Sequence, residues 1–236
     1  MAKMGIGYGS EYQLLRYMGR HRKLLNKKIL DSIGRNGPID WLDFGFSESN
    51  PSNSDNELKG IQAFRNESFY SLLEKNWKTF WPQTGSSQSW DAVFTIDNEW
   101  FFIEAKAHKS EIIDPIKKID PNSRNIIQKS LEETRIFFGA DSSEHWINSK
   151  YYQLCNRLAF VYFCQKNSIK AKIIYLDFIN GFKKNGFFSR DNVNSIQEWK
   201  EIFNVVYCNL GLTNSKNLKD FLTHVYIDCN AGTLEE

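Results

Sequence analysis

The 236-residue chain has no long apolar run, since no stretch approaches the roughly 20 residues that span a bilayer. Its start also lacks the apolar stretch of a secretory signal. The cysteines show neither a CxxC pair nor another metal-ligand spacing: Cys155, Cys164, Cys208 and Cys229. We therefore expect a cytoplasmic protein that enters no membrane, has neither a disulfide framework nor a zinc site, and keeps its cysteines as buried thiols.

A strong charge of one sign is lacking too, because 30 Lys and Arg balance 28 Asp and Glu to a net charge of only +2. Such a chain has no global basic field, so only local clusters can attract a polyanion. The opening glycines Gly5, Gly7 and Gly9 follow no strand and precede no Gly-Lys-Ser/Thr, which excludes a phosphate-binding nucleotide loop.

The most informative segment consists of two short apolar runs, 90–96 and 99–106, joined by Asp97 and Asn98. Both runs are rich in aromatic and β-branched residues, and an Asp-Asn pair tolerates the positive φ of a two-residue turn. The pattern predicts an antiparallel hairpin. In that register Ile96 pairs with Glu99, and Asp91 lies opposite Glu104.

Two carboxylates in that position have Cβ atoms about 5 Å apart and repel each other unless a cation lies between them or one is protonated. A divalent metal is the simplest explanation. The two-residue period places Lys106 and His108 on the Glu104 face. The opposite face is wholly apolar and is predicted to be the core face: Trp90, Ala92, Phe94, Ile96, Phe101, Ile103 and Ala105.

Asp91 followed 13 positions later by Glu104-Ala105-Lys106 resembles the D…(D/E)-x-K signature of the PD-(D/E)XK nuclease superfamily. The resemblance implies an α/β fold, with a restriction-endonuclease-like αβββαβ core, a mixed central sheet flanked by helices, an added N-terminal helix and C-terminal helical decoration. Trp90 stands where the family has a proline before the aspartate. That proline shapes the loop rather than binding metal.

The resemblance also implies roles for the signature residues. Asp91 and Glu104 would bind Mg²⁺, for which Mn²⁺ is a plausible substitute, the Ala105 carbonyl would be a further ligand, and Lys106 would orient or activate the attacking water. Phosphodiester hydrolysis independently favours these residue types, because Mg²⁺ prefers carboxylates and waters, and a lysine supplies a positive donor. The alternative is a solvated hairpin with incidental charges.

Supporting residues are expected on two helices and at a strand end. Glu67, in a helix predicted over 57–77, is similar to the additional metal-site glutamate of Mrr-like restriction nucleases. His108 is a further candidate near the metal or leaving group, with simple solvent exposure as the alternative.

Gln153 and Arg157 lie four residues apart in a helix predicted over 146–165, so they share one face. Gln153 matches the Q-x-x-x-Y motif of RecB-like exonucleases, but Arg157 occupies the Tyr position. Arginine is a good phosphate ligand. Structural hydrogen bonding at a helix end is the competing interpretation.

A basic cluster falls within one predicted N-terminal helix and is suited to phosphate contact: Arg16, Arg20, His21, Arg22, Lys23, Lys27 and Lys28. Because global charge is lacking, Arg16, Arg20, Arg22, Lys23 and Lys27 are the predicted contacts to double-stranded DNA. A solvated basic helix face is an equally ordinary explanation.

The remaining pattern predicts a single domain, in which 1–56 is an N-terminal helix and loop extension, 57–180 the catalytic core and 181–236 the decoration. It also predicts strands at 39–46, 77–81, 171–179 and 223–229, and helices at 123–138 and 195–209.

The sequence thus predicts a Mg²⁺-dependent nuclease that hydrolyses DNA, a restriction- or repair-type endonuclease rather than an exonuclease. A catalytically inactive nuclease-fold protein that binds nucleic acid and a nuclease acting on RNA are the alternatives. The oligomeric state is left open, with a homodimer among the choices.

Overall fold

The computed structural model describes residues 8–42, 57–83, 87–142, 145–181, 183–184, 187–188 and 191–230. Over these residues the helices are α1 Ser10–Gly19, α2 Arg22–Ile33, α3 Tyr70–Phe80, α4 Pro121–Phe137, α5 Tyr152–Lys166, α6 Ile196–Asn209 and α7 Leu218–Phe221. The strands are β1 Asp40–Leu42, β2 Leu58–Lys59, β3 Ser89–Trp90, β4 Ala92–Ile96, β5 Glu99–Lys106, β6 Ala171–Ile179, β7 Lys183–Lys184, β8 Phe187–Phe188 and β9 Leu222–Asp228. Short 3-10 turns cover Gly60–Phe64, Lys109–Ile112 and Trp146–Asn148.

A mixed five-stranded sheet in the order β1-β4-β5-β6-β9 forms the centre of this α/β fold. Strands β1, β4 and β5 are antiparallel, whereas β5, β6 and β9 are parallel. The β6 strand reads as one apolar run because a parallel strand covered on both faces has little reason to alternate. The pairs β2-β3 and β7-β8 lie outside this sheet.

The hairpin prediction is confirmed for β4 and β5. Asp97 and Asn98 have φ values of 48° and 62°, as a two-residue turn of this hand requires. The register runs from the predicted pair Ile96–Glu99 to Ala92–Ile103. Asp91 follows as the next residue along, where the chain bends out of β4.

Apolar layers cover both faces of the sheet, so the expectation of one core face was wrong. Phe101 and Ile103 face α1 and α2, while Phe102 faces the layer that contains α3 to α6. Trp90 belongs to that second layer, with its ring 4.9 Å from Phe102, because β3 pairs with β2 before the bend at Asp91. The bend interrupts the two-residue alternation.

The N-terminal segment is two helices rather than one. α1 ends at Gly19 and α2 begins at Arg22, with a turn between them. Glycine weakens a helix interior, so a break there is locally inexpensive. The break lets Tyr17 of α1 and Leu25 of α2 reach the same sheet layer.

The helix predicted over 57–77 is confirmed only from residue 70 onward, and the strand predicted over 77–81 is wrong, because α3 continues to Phe80. Gly60, at a φ of 48°, ends β2, and a Cβ there would meet Ser87 Oγ at 2.7 Å. Trp77 and Phe80 belong to the buried stripe of α3, so their spacing was a helical period. The first strand of the sheet is instead β1, and positions 43–46 of the strand predicted there lie outside the described residues.

The later elements follow their predictions closely. β6 matches 171–179, and β9 agrees with its predicted strand within one residue. α4 starts at Pro121, where Asp120 caps it by accepting a hydrogen bond from the Ser123 N–H at 2.9 Å. The helix predicted over 146–165 begins only at Tyr152, after a 3-10 turn.

The structure also bears on the expectations about the cysteines and about membrane-spanning segments. Three of the four cysteines are buried, but Cys208 is exposed on α6, which corrects the expectation of buried thiols throughout. No helix within the described part of the chain combines the length and apolarity needed to cross a membrane.

Candidate active site

Asp91, Glu104 and Lys106 line one cavity of about 420 Å³ at the carboxyl end of β5. The carboxyl ends of parallel strands are where α/β sheets commonly place their ligands. The α5 helix borders this cavity through Gln153 and Arg157. The remaining lining residues are Ser10, Glu57, Ser89, Ala105, Glu111, Ile113 and Asp114.

Glu104 is the centre of a buried charge network. Its Oε1 accepts a hydrogen bond from Lys106 Nζ at 2.6 Å, and its Oε2 accepts one from Arg157 Nε at 2.6 Å. Burial alone would raise the pKa of Glu104, but the positive charges of Arg157 and Lys106 outweigh burial and lower it. Glu104 is therefore an ionised carboxylate between two cations.

Asp91 has a different environment from Glu104. Its Oδ2 accepts a hydrogen bond from the backbone N–H of Ala105 at 2.6 Å. Burial, and after it the negative charge of Glu104, raises the pKa of Asp91 well above its ordinary value. The backbone N–H and C=O of one strand residue point to the same edge of the strand, and the Ala105 N–H points to Asp91. The Ala105 carbonyl is therefore also directed to the Asp91 side of β5.

Lys106 is held from two directions. Besides its contact with Glu104, its Nζ donates a hydrogen bond to Gln153 Oε1 at 2.7 Å. Burial lowers the pKa of Lys106, but the carboxylates of Glu104, Glu111 and Asp91 more than reverse this and raise it. The side chain therefore remains an ammonium, which can donate a proton in a hydrogen bond but does not act as a base.

Arg157 connects the site to the start of the hairpin. Its Nη2 donates to the Ser89 carbonyl at 2.8 Å, and its guanidinium lies 4.9 Å from the centre of the Trp90 ring. Gln153 and Arg157 thus lie on the same face of α5, and the structure places both against the D…E-x-K residues. The shared face of α5 lets Gln153 and Arg157 contact Lys106 and Glu104, and the Trp90 ring packs against the Arg157 guanidinium.

The cavity is also lined by three acidic residues that sequence reasoning did not identify: Glu57, Glu111 and Asp114. Glu111 accepts from the Ala107 N–H at 2.6 Å and from Ser10 Oγ at 2.8 Å. Burial raises its pKa, but the hydrogen bond from His108 and the charge of Lys106 lower it overall. The three-residue spacing from His108 was the available signal for Glu111.

Two of the predicted supporting residues, Glu67 and His108, lie away from the cavity wall. Glu67 is in a bend before α3, its N–H donates to the Phe64 carbonyl, and the cavity lining given above does not include it. Glu57 is the acid from that region that lines the cavity. His108 contacts Glu111, which lines the cavity and whose Oε1 lies 3.1 Å from the His108 Nε2.

The basic residues of α1 and α2 lie on the sheet face opposite Glu104, because these helices pack on the Ile103 face. Arg16 donates to the Cys229 carbonyl at 3.3 Å, Arg22 to the Met18 carbonyl at 2.7 Å, and Lys27 pairs with Asp31 at 2.7 Å. Arg20 and Lys23, the other two predicted DNA contacts, are exposed to solvent.

The donor set suits a hard divalent cation. Within the described residues, no three His, Cys, Asp or Glu side chains converge closely enough to hold a metal by themselves. Two carboxylates and one carbonyl are nevertheless what Mg²⁺ commonly takes, with water completing its shell. Asp91, with its raised pKa, is the carboxyl group that a nearby cation would stabilise most.

Comparison with known proteins returned no matching family model, curated protein or solved structure. The functional conclusion therefore rests on the geometry and chemistry of the cavity at the end of β5.

Proposed function

We propose that this chain is a Mg²⁺-dependent nuclease that hydrolyses phosphodiester bonds in DNA. The observation that carries the proposal is the meeting of Asp91, Glu104 and Lys106 in one cavity at the end of β5. An acid pair, with Glu104 buried and Asp91 half-buried, beside a fixed ammonium and a backbone carbonyl is the set of groups that phosphodiester hydrolysis needs.

The order of elements supports the same proposal. Helices α1 and α2 precede β1, the antiparallel β4 and β5 follow it in the sheet, and α4 and α5 lead to the parallel β6. We propose that this order corresponds to the αβββαβ order of a restriction-endonuclease-like core. The described segments 57–83 and 87–90 lie between the first and second of these strands in the chain.

Each residue of the candidate site has a defined role in this proposal. Bound Mg²⁺ would be held by Asp91, Glu104 and the Ala105 carbonyl, and it would neutralise phosphate charge and acidify a bound water. Lys106 donates a hydrogen bond to the attacking water or to a phosphate oxygen. Gln153 positions the Lys106 ammonium, and Arg157 holds the Glu104 carboxylate.

A binding protein without catalysis is the second candidate, because both oxygens of Glu104 already have cationic partners. A buried network of this kind also occurs where charges only fix a structure. Asp91 favours catalysis over this alternative. A purely structural network gains nothing from a second, partly buried carboxyl group whose pKa is raised by burial and by the charge of the first.

Nicking of a closed circular plasmid separates the two candidates and also requires an endonuclease. We expect the chain to nick plasmid with Mg²⁺ or Mn²⁺ and not with EDTA. Asp91→Asn and Glu104→Gln should each abolish nicking. Asp97→Asn makes the same change at the exposed hairpin turn and should leave the rate unaltered.

Two results would contradict the proposal. Wild-type protein that binds the plasmid without nicking it, with either metal, would identify a binding protein. A Glu104→Gln variant that nicks at the wild-type rate would place the chemistry elsewhere. A parallel assay on an RNA transcript tests the remaining alternative, and preferential RNA cleavage would reassign the substrate.

A further inference from the structure

A second groove of about 400 Å³ opens beside the candidate active site. The two cavities share lining residues: Ser89, Asp114, Gln153 and Arg157. One wall of the groove is α5 and the other is the segment 114–120 that leads into α4. Its volume falls within the range of roughly 300 to 1,000 Å³ typical of small-molecule sites.

Neighbouring positions of α5 serve the two cavities. Gln153 contacts Lys106 and Arg157 contacts Glu104 in the candidate active site. Tyr152 and Asn156 line the groove and are not among the lining residues of the active-site cavity. Asn156 is only 7% exposed, and within the described residues its Oδ1 has no hydrogen-bond partner. A buried polar atom without a partner is destabilising, so this amide points to a ligand that brings a donor.

The walls and rim of the groove differ in chemistry. Its apolar lining is Pro82, Pro115, Ile116, Ile119, Ile127 and the ring of Tyr152. Two exposed lysines, Lys117 and Lys118, lie at its rim. Asp114 and Asp120 also line the groove, so the lysines are the groups in it that can contact an anion. Apolar walls beside a buried amide and two lysines suit a flat base with a polar edge and a phosphate attached.

The groove is fixed at both ends of its loop wall. The Asp114 N–H donates to the Lys150 carbonyl at 2.9 Å, next to the start of α5. At the other end Asp120 caps α4 through the Ser123 N–H. A ligand therefore meets walls that are already in place, which reduces the ordering that binding requires.

We propose that this groove binds one unstacked nucleotide of the substrate. The base lies in the apolar slot and donates a hydrogen bond to Asn156 Oδ1, and Lys117 and Lys118 contact its phosphate. The adjoining phosphate then reaches Asp91 and Glu104. The substrate class is DNA with an unpaired nucleotide beside the cleaved bond, an assignment that rests on the proposed nuclease function.

Binding of deoxyadenosine monophosphate in EDTA, followed by calorimetry, tests the groove without any cleavage. Inorganic phosphate is the second probe, because it can use the lysines but not the slot. We expect the nucleotide to bind about tenfold or more tightly than phosphate. Asn156→Leu, which keeps the size but not the acceptor, should weaken nucleotide binding about tenfold, as one hydrogen bond would.

Surface variants keep the test decisive if Asn156→Leu does not fold. The double variant Lys117→Ala/Lys118→Ala changes only exposed residues and should weaken nucleotide binding as well. Lys75→Ala/Lys200→Ala removes the same charge from exposed positions on α3 and α6 and should not.

Cleavage of two duplexes, one fully paired and one with a single unpaired adenine, tests the substrate class. We expect faster cutting next to the unpaired base, with this preference abolished in the Lys117→Ala/Lys118→Ala variant. Equal cutting of both duplexes would overturn the substrate class.

The remaining outcomes separate the groove from the nuclease. Phosphate that binds as well as the nucleotide, or a folded Asn156→Leu variant with unchanged affinity, overturns the groove assignment. Plasmid nicking without nucleotide binding does so too, and leaves the nuclease function standing. Nucleotide binding by a protein that nicks nothing supports the groove and removes the proposed function.

Discussion

At the scale of single residues, Arg157 contributes most to keeping Glu104 ionised in the protein interior. Removal of one partner from a buried ion pair leaves an uncompensated charge, at a loss of about 3 to 5 kcal/mol. We therefore expect Arg157→Met to lower the free energy of unfolding by that amount, measured by urea denaturation. Arg135→Met breaks a more exposed pair with Glu132 and should lower it by less than about 1 kcal/mol.

The pH dependence of this effect follows from the direction of the Glu104 shift. Its pKa is lowered on folding, so it contributes stability above its unfolded value of 4.5, and that stability is lost as pH falls through the folded pKa. Arg157→Met should remove this contribution. A variant with Arg157→Met and Glu104→Leu should recover part of the loss, and a double variant no better than the single one would contradict the pairing.

Asp91 should behave in the opposite way. Its pKa is raised on folding, so the stability that it contributes is complete below its unfolded value of 3.8 and is lost as pH rises through the folded pKa. Asp91→Asn without metal should therefore gain about 1 kcal/mol at high pH. This corresponds to a melting temperature roughly 2 to 4 °C higher.

The same melting experiment at pH 4 and pH 8 checks the sign. The gain from Asp91→Asn should be larger at pH 8, where the wild-type carboxyl group has less of its proton. Asp97→Asn, at the exposed turn, should change the melting temperature little at either pH. A lower melting temperature for Asp91→Asn at pH 8 would mean that Asp91 stabilises the fold as a carboxylate.

Sequence reasoning could foresee Asp91, Glu104 and Lys106 together because one hairpin register determines all three. It could not foresee Glu57 or Asp114, since they reach the cavity from segments whose positions depend on tertiary packing. The prediction of Glu67 depended on a helix over 57–77, but α3 begins only at Tyr70 and Glu67 lies in the bend before it.

At the scale of elements, the break between α1 and α2 changes how the basic cluster must be tested. Arg22 is half-buried and its guanidinium lies over the Trp41 ring at 5.7 Å, so its removal would disturb packing as well as charge. Arg20 and Lys23 are exposed and provide the cleaner pair. We still expect them to contribute to DNA binding by pairing with phosphates.

Arg20→Ala/Lys23→Ala should weaken binding to unrelated duplexes alike. It should also reduce the slope of log affinity against log salt by roughly one for each phosphate that the variant no longer neutralises. The measurement is fluorescence anisotropy across a salt series in EDTA. The matched pair Lys75→Ala/Lys200→Ala should keep the slope. An unaltered slope in Arg20→Ala/Lys23→Ala would show that this helix face is only solvated surface.

Elements were predicted well wherever one local signal dominates. The Asp97-Asn98 turn, the Asp120 cap of α4 and the continuous apolar run of β6 each carry such a signal. Predictions failed where packing decides between competing local patterns. Trp77 and Phe80 satisfy a strand by composition but a helix by spacing, and the apolar layer beneath α3 selects the helix.

At the scale of the whole molecule, the sheet has apolar layers on both faces, so polar groups reach solvent most readily at the strand ends. The candidate site lies at one such end, between α5 and the start of α1. With a net charge of only +2, the molecule attracts a polyanion by local groups alone. A bound cation in the site would therefore alter both the stability of the fold and the local attraction for phosphate.

Metal binding should consequently appear as a stability change of the whole chain. At a concentration of Mg²⁺ about 100 times its dissociation constant, the folded state should gain about 2.7 kcal/mol. That gain corresponds to a melting temperature roughly 5 to 10 °C higher for a chain of this size. Because the Asp91 proton competes with the cation, the gain should grow as pH rises towards the folded pKa of Asp91. Asp91→Ala/Glu104→Ala should abolish the gain, while Asp97→Asn should keep it, and an equal gain in the double variant would place the cation outside this cavity.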